Sequence, residues 1–264
     1  MTIMLIGVCA AAVVWGSQQA MDAARTALSA FANGVLPALY PMMVLTLLLP
    51  AGGTSAVTAI FSFLSGSPAS AKRVAACGTD RPETMLALCG VMSPMFFTGT
   101  LAIWTGNPSA AGKMLLLHWL GAMITAAFWR MIEKPSVSMD FAEQEKITLP
   151  QAISQSAAAV MGVCGTMLLF SIAAAILRMV LPLGEPVLSV LHALLEIGSG
   201  IRAVLDAWKE PPYALLCGLC AFGGVSIWLQ NLLFLPKSIR PAKLLCMRAL
   251  HGAVCYGLGL ISFP

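Results

Sequence analysis

Charge is scarce in this sequence. Only 10% of its 264 residues are Asp, Glu, Lys or Arg, against roughly a quarter in a soluble domain. With 59% hydrophobic residues and a mean hydropathy of +0.87, the chain has no material for a water-facing surface of ordinary composition. Long polar segments are equally scarce: Lys134 to Pro150 is the only one, which leaves no room for a separate soluble domain. The net charge of +4 is small and sits between apolar runs. It therefore reads as topology information and argues against a nucleic-acid partner. Three histidines, His118, His192 and His251, lie far apart among apolar neighbours without metal-ligand spacing. Eight cysteines form no disulfide framework or zinc pattern. Cys217 and Cys220 have redox spacing but lie inside an apolar run, where packing is the plainer role. There is no nucleotide loop, no Ser/His/Asp arrangement and no pair of catalytic carboxylates, so neither an enzyme nor a cofactor is expected. The first residues lack a positive start and a small-x-small cleavage site. Ile3 to Trp15 therefore reads as a retained span.

What is present is a run of apolar segments from end to end. They predict an all-α, polytopic transmembrane protein with about seven spans, whose first partner is the lipid bilayer. The expected order is an extra span over 1–20, a first repeat over 21–132, a polar linker over 133–150 and a second repeat over 151–264. Within the first repeat, Met21 to Asn33 is mildly amphipathic and suits the membrane interface. Single spans are expected over about 84–104 and 113–131, and again over about 212–235 and 243–262.

Two places break this pattern. Ser65, Gly66, Ser67 and Pro68 separate two apolar pieces, each too short to cross a bilayer, in a segment over 53–79. In the segment over 185–208, Gly198-Ser199-Gly200 does the same. Broken helices at membrane depth are tolerated only where protein or a polar cavity surrounds them. The two breaks lie 132 residues apart, as do Leu49-Pro50-Ala51-Gly52 and Leu181-Pro182-Leu183-Gly184, which indicates an internal repeat. Charge counting gathers Lys72, Arg73, Arg81, Arg130, Lys134, Lys146, Lys237, Arg240 and Lys243 on one side, and Arg25, Lys113, Arg178, Arg202 and Lys209 on the other. The positive-inside bias places the first set and the N-terminus in the cytoplasm. Three crossings per half then make the repeats inverted, each with a broken re-entrant hairpin, a pattern that points to a transporter's site.

The residues at the breaks have readable chemistry. A helix starting after Gly66-Ser67-Pro68, and a second at Gly198-Ser199-Gly200, would offer free N–H groups and positive dipole ends to a carboxylate. Lys72 and Arg202 would add charge, although Lys72-Arg73 also suits an interfacial anchor. Glu196, an acid closing an apolar half-helix, reads as a coupling or substrate group, or as the partner of Arg202 or Arg178. Ser226 and Gln230 share a helix face. Gln230 would bond a ligand or clamp two helices. Ser93-Pro94 would free backbone carbonyls or make a bare kink.

Four stretches also resemble a known family. Ser65-Gly66-Ser67-Pro68-Ala69-Ser70-Ala71-Lys72 resembles the SGYPxGAK motif of the YlbJ-type sporulation integral membrane proteins, relatives of the nucleoside-recognition "Gate" proteins. Cys89 to Gly99 resembles CNNSGPLFILG, Leu195-Glu196-Ile197-Gly198-Ser199-Gly200 resembles LEITNG, and Phe222-Gly223-Gly224-Val225-Ser226-Ile227-Trp228-Leu229-Gln230 resembles FGGLSVHxQ. Order and spacing agree over about residues 35–235. The family's Tyr is Ser67 here, its second Gly is Ser70, its Asn pair is Gly90-Val91 and its Thr-Asn is Gly198-Ser199, so several polar groups are shortened. The resemblance implies a transporter-like fold and passage of dipicolinic acid, a small anion, in a bacterial cell or forespore membrane. Nucleoside transport and a non-transporting spore-envelope scaffold stay open as alternatives, and so does a homo-oligomer.

Overall fold

A computed structural model of the chain describes residues 10, 13–49, 55–77, 79–135, 147–235 and 239–263. The expected N-terminal span and polar linker lie largely outside them. The described residues are helical without strands. Among the described residues, five helices are long and apolar enough to cross a bilayer, which makes this an integral membrane protein.

Helix α1, Ser17–Leu48, is one continuous element of 32 residues. The stretch expected at the interface, Met21 to Asn33, runs straight on into the following segment. A π-turn over Phe31–Val35 carries the helix through Asn33-Gly34. Pro37 has no N–H for an α-type bond to residue 33 and its ring would crowd that carbonyl, so the wider turn relieves the conflict. Helices α2, Ser55–Ser65, and α3, Ala69–Cys77, follow as a pair. The span expected over 84–104 is two pieces, α4, Pro82–Cys89, and α5, Phe96–Thr105. Ser93 precedes a proline and is pushed out of the helical region. The Val91 carbonyl in this break accepts the Ser67 N–H at 2.8 Å. Helix α6, Pro108–Ile132, starts at an Asn107 cap, whose side chain accepts from the Ala110 N–H at 3.0 Å.

The second half follows the same order. Helix α7, Leu149–Val180, also has 32 residues, and it starts and ends 132 positions after α1. The short pair α8, Glu185–Leu195, and α9, Ile197–Ala207, comes next. Then come α10, Tyr213–Phe222, and α11, Gly224–Leu232, broken at Gly223 and Gly224 with φ of +78° and +77°. Helix α12, Pro241–Ser262, closes the chain. It runs antiparallel to α6, with Lys113 Nζ bonded to the Ser262 carbonyl and the His251 ring to the His118 carbonyl.

One end of the bundle is held by buried carboxylates. Glu133, at the end of α6, accepts the N–H groups of Glu83 and Thr84 at 2.9 and 2.8 Å, and the Thr84 hydroxyl. It thereby caps α4 from another helix. Glu83 in turn meets Lys243 Nζ at 2.8 Å and the Trp129 indole at 3.1 Å. Glu133→Gln puts an amide donor against these donors and leaves a buried N–H unpaired, a loss of about 1–3 kcal/mol. Thermal unfolding in detergent should show a Tm several degrees lower, while Lys134→Ala, at an exposed neighbour, leaves Tm unchanged.

Candidate functional site

Three of the four breaks between paired short helices, those of α2–α3, α4–α5 and α8–α9, meet at one cavity of about 920 Å³, within the usual range for small-molecule sites. Ser65, Ser67 and Pro68 reach it from the α2–α3 junction, Ser93 from the α4–α5 break, and Glu196, Ser199 and Arg202 from the α8–α9 junction. Gln230 lines it from α11, and the π-turn of α1 brings Asn33 and Gly34. Phe96, Trp104, Met92 and Met167 supply apolar wall, with Arg25 joining Arg202 as its second cation.

Close backbone approach explains the glycine at the first junction. Gly66 has φ +69°, and a Cβ there would lie 2.4 Å from the Ser93 amide nitrogen. Gly66 is thus the point where the first hairpin presses on the α4–α5 break, and it lies behind the cavity wall. Gly200 packs on α8 in the same way. Pro94, Gly223, Gly224 and Ser226 also lie outside the lining, with Ser226 buried and its hydroxyl without a partner among the described residues. Lys72 points elsewhere, its ammonium 5.8 Å from the Phe234 ring centre.

The hydrogen bonds at the two junctions differ from the sequence expectation of free helix N-termini. At α3, the N–H groups of Ser70, Ala71 and Lys72 bond back to Gly66 and Pro68 carbonyls, Ser67 N–H is held by Val91, and Pro68 has none. At α9 the start of the helix is filled by its own cap. Glu196 accepts from Gly198 N at 2.8 Å, Ser199 N at 2.6 Å and Ser199 Oγ at 2.6 Å. A carboxylate at a helix N-terminus satisfies the unpaired amides and meets the positive dipole end. Neither arginine expected as its partner bonds to it: Arg202 pairs with Asp206 at 3.2 Å, and Arg178 with Glu185. Gln230 combines both roles read for it, lining the cavity while its amide donates to Thr166 Oγ1 on α7 at 2.7 Å.

Three groups emerge only in the fold. Arg248, near the middle of α12, is buried and reaches both broken helices, donating to the Gly90 carbonyl and to the Phe222 carbonyl at 2.9 Å. An arginine inside the last apolar run was a legible signal for such a role. His118 and His251 come within 4.8 Å, centre to centre, and Cys255 lies close enough to form a buried trio. Both Nε2 atoms are engaged, His118 by the Met92 N–H at 2.9 Å and His251 by the His118 carbonyl at 3.0 Å. His192, the third, bonds Ser199 Oγ at 2.8 Å. Cys217 and Cys220 are buried thiols in the core cluster.

Searches of family models, curated proteins and solved structures find no match to this chain.

Proposed function

We propose that this chain is a membrane transporter-type protein whose solute site is the cavity where its helix breaks converge. That convergence is the observation that carries the reading: non-helical backbone from both halves, at matching places, lines one polar-and-aromatic chamber. In this reading α2–α3 and α8–α9 are re-entrant hairpins and the two halves are inverted repeats, in keeping with the antiparallel course of α6 and α12. With α4–α5 and α10–α11 each crossing once, and a span before α1, the chain crosses about seven times. The end that holds Arg81, Arg130 and Lys243 faces the cytoplasm.

The solute is a small, ring-bearing metabolite. Its ring lies against Phe96 and Trp104, and its anionic groups meet Arg25 and Arg202. The dipicolinate-like identity and the sporulation setting rest on the sequence resemblance. A neutral, nucleoside-like solute is the second reading. It is favoured by the engaged amides at α3 and by the Glu196 carboxyl that occupies the start of α9, which leave hydrogen-bonding groups where an anion would want free donors.

Equilibrium binding to purified protein in nanodiscs separates the two. Labelled dipicolinate should bind, and weaken at least tenfold (about 1.4 kcal/mol) when Arg25 and Arg202 are both changed to Gln. Gln230→Ala should weaken either solute. Binding of adenosine or uridine but not dipicolinate selects the second reading, and binding of none from folded protein leaves the scaffold.

A further inference from the structure

Glu196, Ser199 and His192 form a continuous chain of hydrogen bonds that starts in the cavity wall and ends inside α8. Glu196 and Ser199 line the cavity. Ser199 Oγ lies 2.6 Å from Glu196 Oε2, 2.8 Å from His192 Nε2 and 3.2 Å from Ser171 Oγ of α7. The far ring nitrogen, His192 Nδ1, is shielded from solvent and has no hydrogen-bond partner among the described residues.

A serine hydroxyl has one proton and two lone pairs, so Ser199 cannot donate to both neighbours at once. Two arrangements satisfy it. In the first, Glu196 is ionised, Ser199 donates to Glu196 Oε2, and Ser199 Oγ accepts from His192 Nε2–H and from Ser171. In the second, Glu196 carries a proton and donates to Ser199 Oγ, Ser171 still donates to that oxygen, and Ser199 donates to His192 Nε2, with the histidine proton on Nδ1. Every lone pair and proton of Ser199 is used in both.

We propose that these three side chains are a proton relay and that the ion coupled to solute movement is H⁺. The inference rests on the transporter reading above. A proton that reaches the shielded His192 Nδ1 when the second hairpin moves makes an imidazolium. Its Nε2 proton passes to Ser199 Oγ, and the original hydroxyl proton passes to Glu196 Oε2. One proton enters and one carboxylate is neutralised, with no other bond changed. The carboxylate also caps α9 through Gly198 and Ser199 N–H. Neutralising it weakens that cap, which links the proton to the second hairpin and to the cavity it lines.

Among the described residues, the surrounding ionisable groups leave this relay without an ion-pair partner. On α7, Arg178 is paired with Glu185 of α8, and Cys164 is a buried thiol. On α9, Arg202 is paired with Asp206, and on α1, Arg25 with Asp22. The packed face of α10 carries Tyr213, Cys217 and Cys220, while α11 and α5 carry no ionisable side chain.

Infrared difference spectroscopy of the nanodisc protein during a pH titration tests the relay without any solute. A protonated-carboxyl band should titrate in the wild type and be absent in Glu196→Gln. Its midpoint should move by about one pH unit or more in Ser199→Ala and in His192→Gln. A band that titrates identically in all but Glu196→Gln, or no band, overturns the relay. In proteoliposomes loaded with a pH-sensitive dye, dipicolinate or nucleoside influx should shift lumenal pH in the wild type but not in His192→Gln. Influx without a pH change overturns the relay and leaves the transporter reading standing. If no solute enters, the transporter reading falls and the titration alone decides the relay.

Discussion

Gly200→Ala should disable the second hairpin, an effect out of proportion to one methyl group. A Cβ at position 200 would lie 2.3 Å from Ala193 Cα and 2.5 Å from Ala193 N. Those are backbone atoms of α8, which cannot rotate aside. The two helices must move apart, and the move drags the Glu196 cap and the Ser199 bonds with it. Overpacking of a tight contact costs about 1–3 kcal/mol, and here the lost cap adds about 1 kcal/mol. Gly200→Val should prevent a stable fold. The same Gly→Ala change at Gly165 or Gly257, where a Cβ would meet nothing within 4 Å, should stabilise by up to about 1 kcal/mol. Thermal unfolding of the variants side by side gives the comparison. Equal Tm for Gly200→Ala and Gly165→Ala would mean that α8 and α9 are not packed as described.

Arg248→Lys should be nearly as damaging as Arg248→Met. The guanidinium of Arg248 reaches the Gly90 and Phe222 carbonyls from two different nitrogens, at the ends of α4 and α10. These helix C-termini are negative dipole ends, and together they stabilise a cation that has no carboxylate bonded to it among the described residues. A lysine keeps the buried charge but cannot reproduce the planar fork, so one carbonyl is left unpaired. A methionine relieves the charge and leaves both carbonyls unpaired, at about 1–3 kcal/mol each. Both variants should lose roughly 2–5 kcal/mol, read as a drop in Tm and in the detergent-stable fraction. An unchanged Arg248→Lys would show that the arginine is not bridging the two breaks.

For physical reasons, the sequence carried the class and some of the places where the helices break, though not the break at Gly223-Gly224 inside the span expected over 212–235. Scarce charge and long apolar runs dictate a bilayer protein, and Ser65-Gly66-Ser67-Pro68 does separate two short helices. Gly198-Ser199-Gly200, by contrast, lies in the first turn of α9, and the second break falls just before it, at Glu196, whose carboxylate caps that turn. Of the residues singled out at these motifs, Ser65, Ser67, Pro68, Ser93, Glu196, Ser199, Arg202 and Gln230 do line one cavity. The hydrogen-bond ledger was not legible. Whether a helix N-terminus offers its amides to a ligand depends on what else reaches them, and Glu196 folds back on its own helix while the Val91 carbonyl crosses from another. Nor could Asn33-Gly34 be read as a π-turn inside α1, because the same dipeptide marks loops elsewhere. The meeting of His118 with His251 arises from the antiparallel contact of α6 and α12, which no local pattern encodes.

Uptake into proteoliposomes tests the central claim most directly. Labelled dipicolinate and a nucleoside panel would be offered to vesicles holding the wild type, Gln230→Ala and the double Arg25→Gln, Arg202→Gln variant. The account predicts saturable entry of one solute class, strongly reduced by Gln230→Ala and, for an anion, by the double variant. Protein that is folded in the vesicles and admits none of these solutes, or admits one equally well in every variant, would contradict a solute site at the junction of the broken helices.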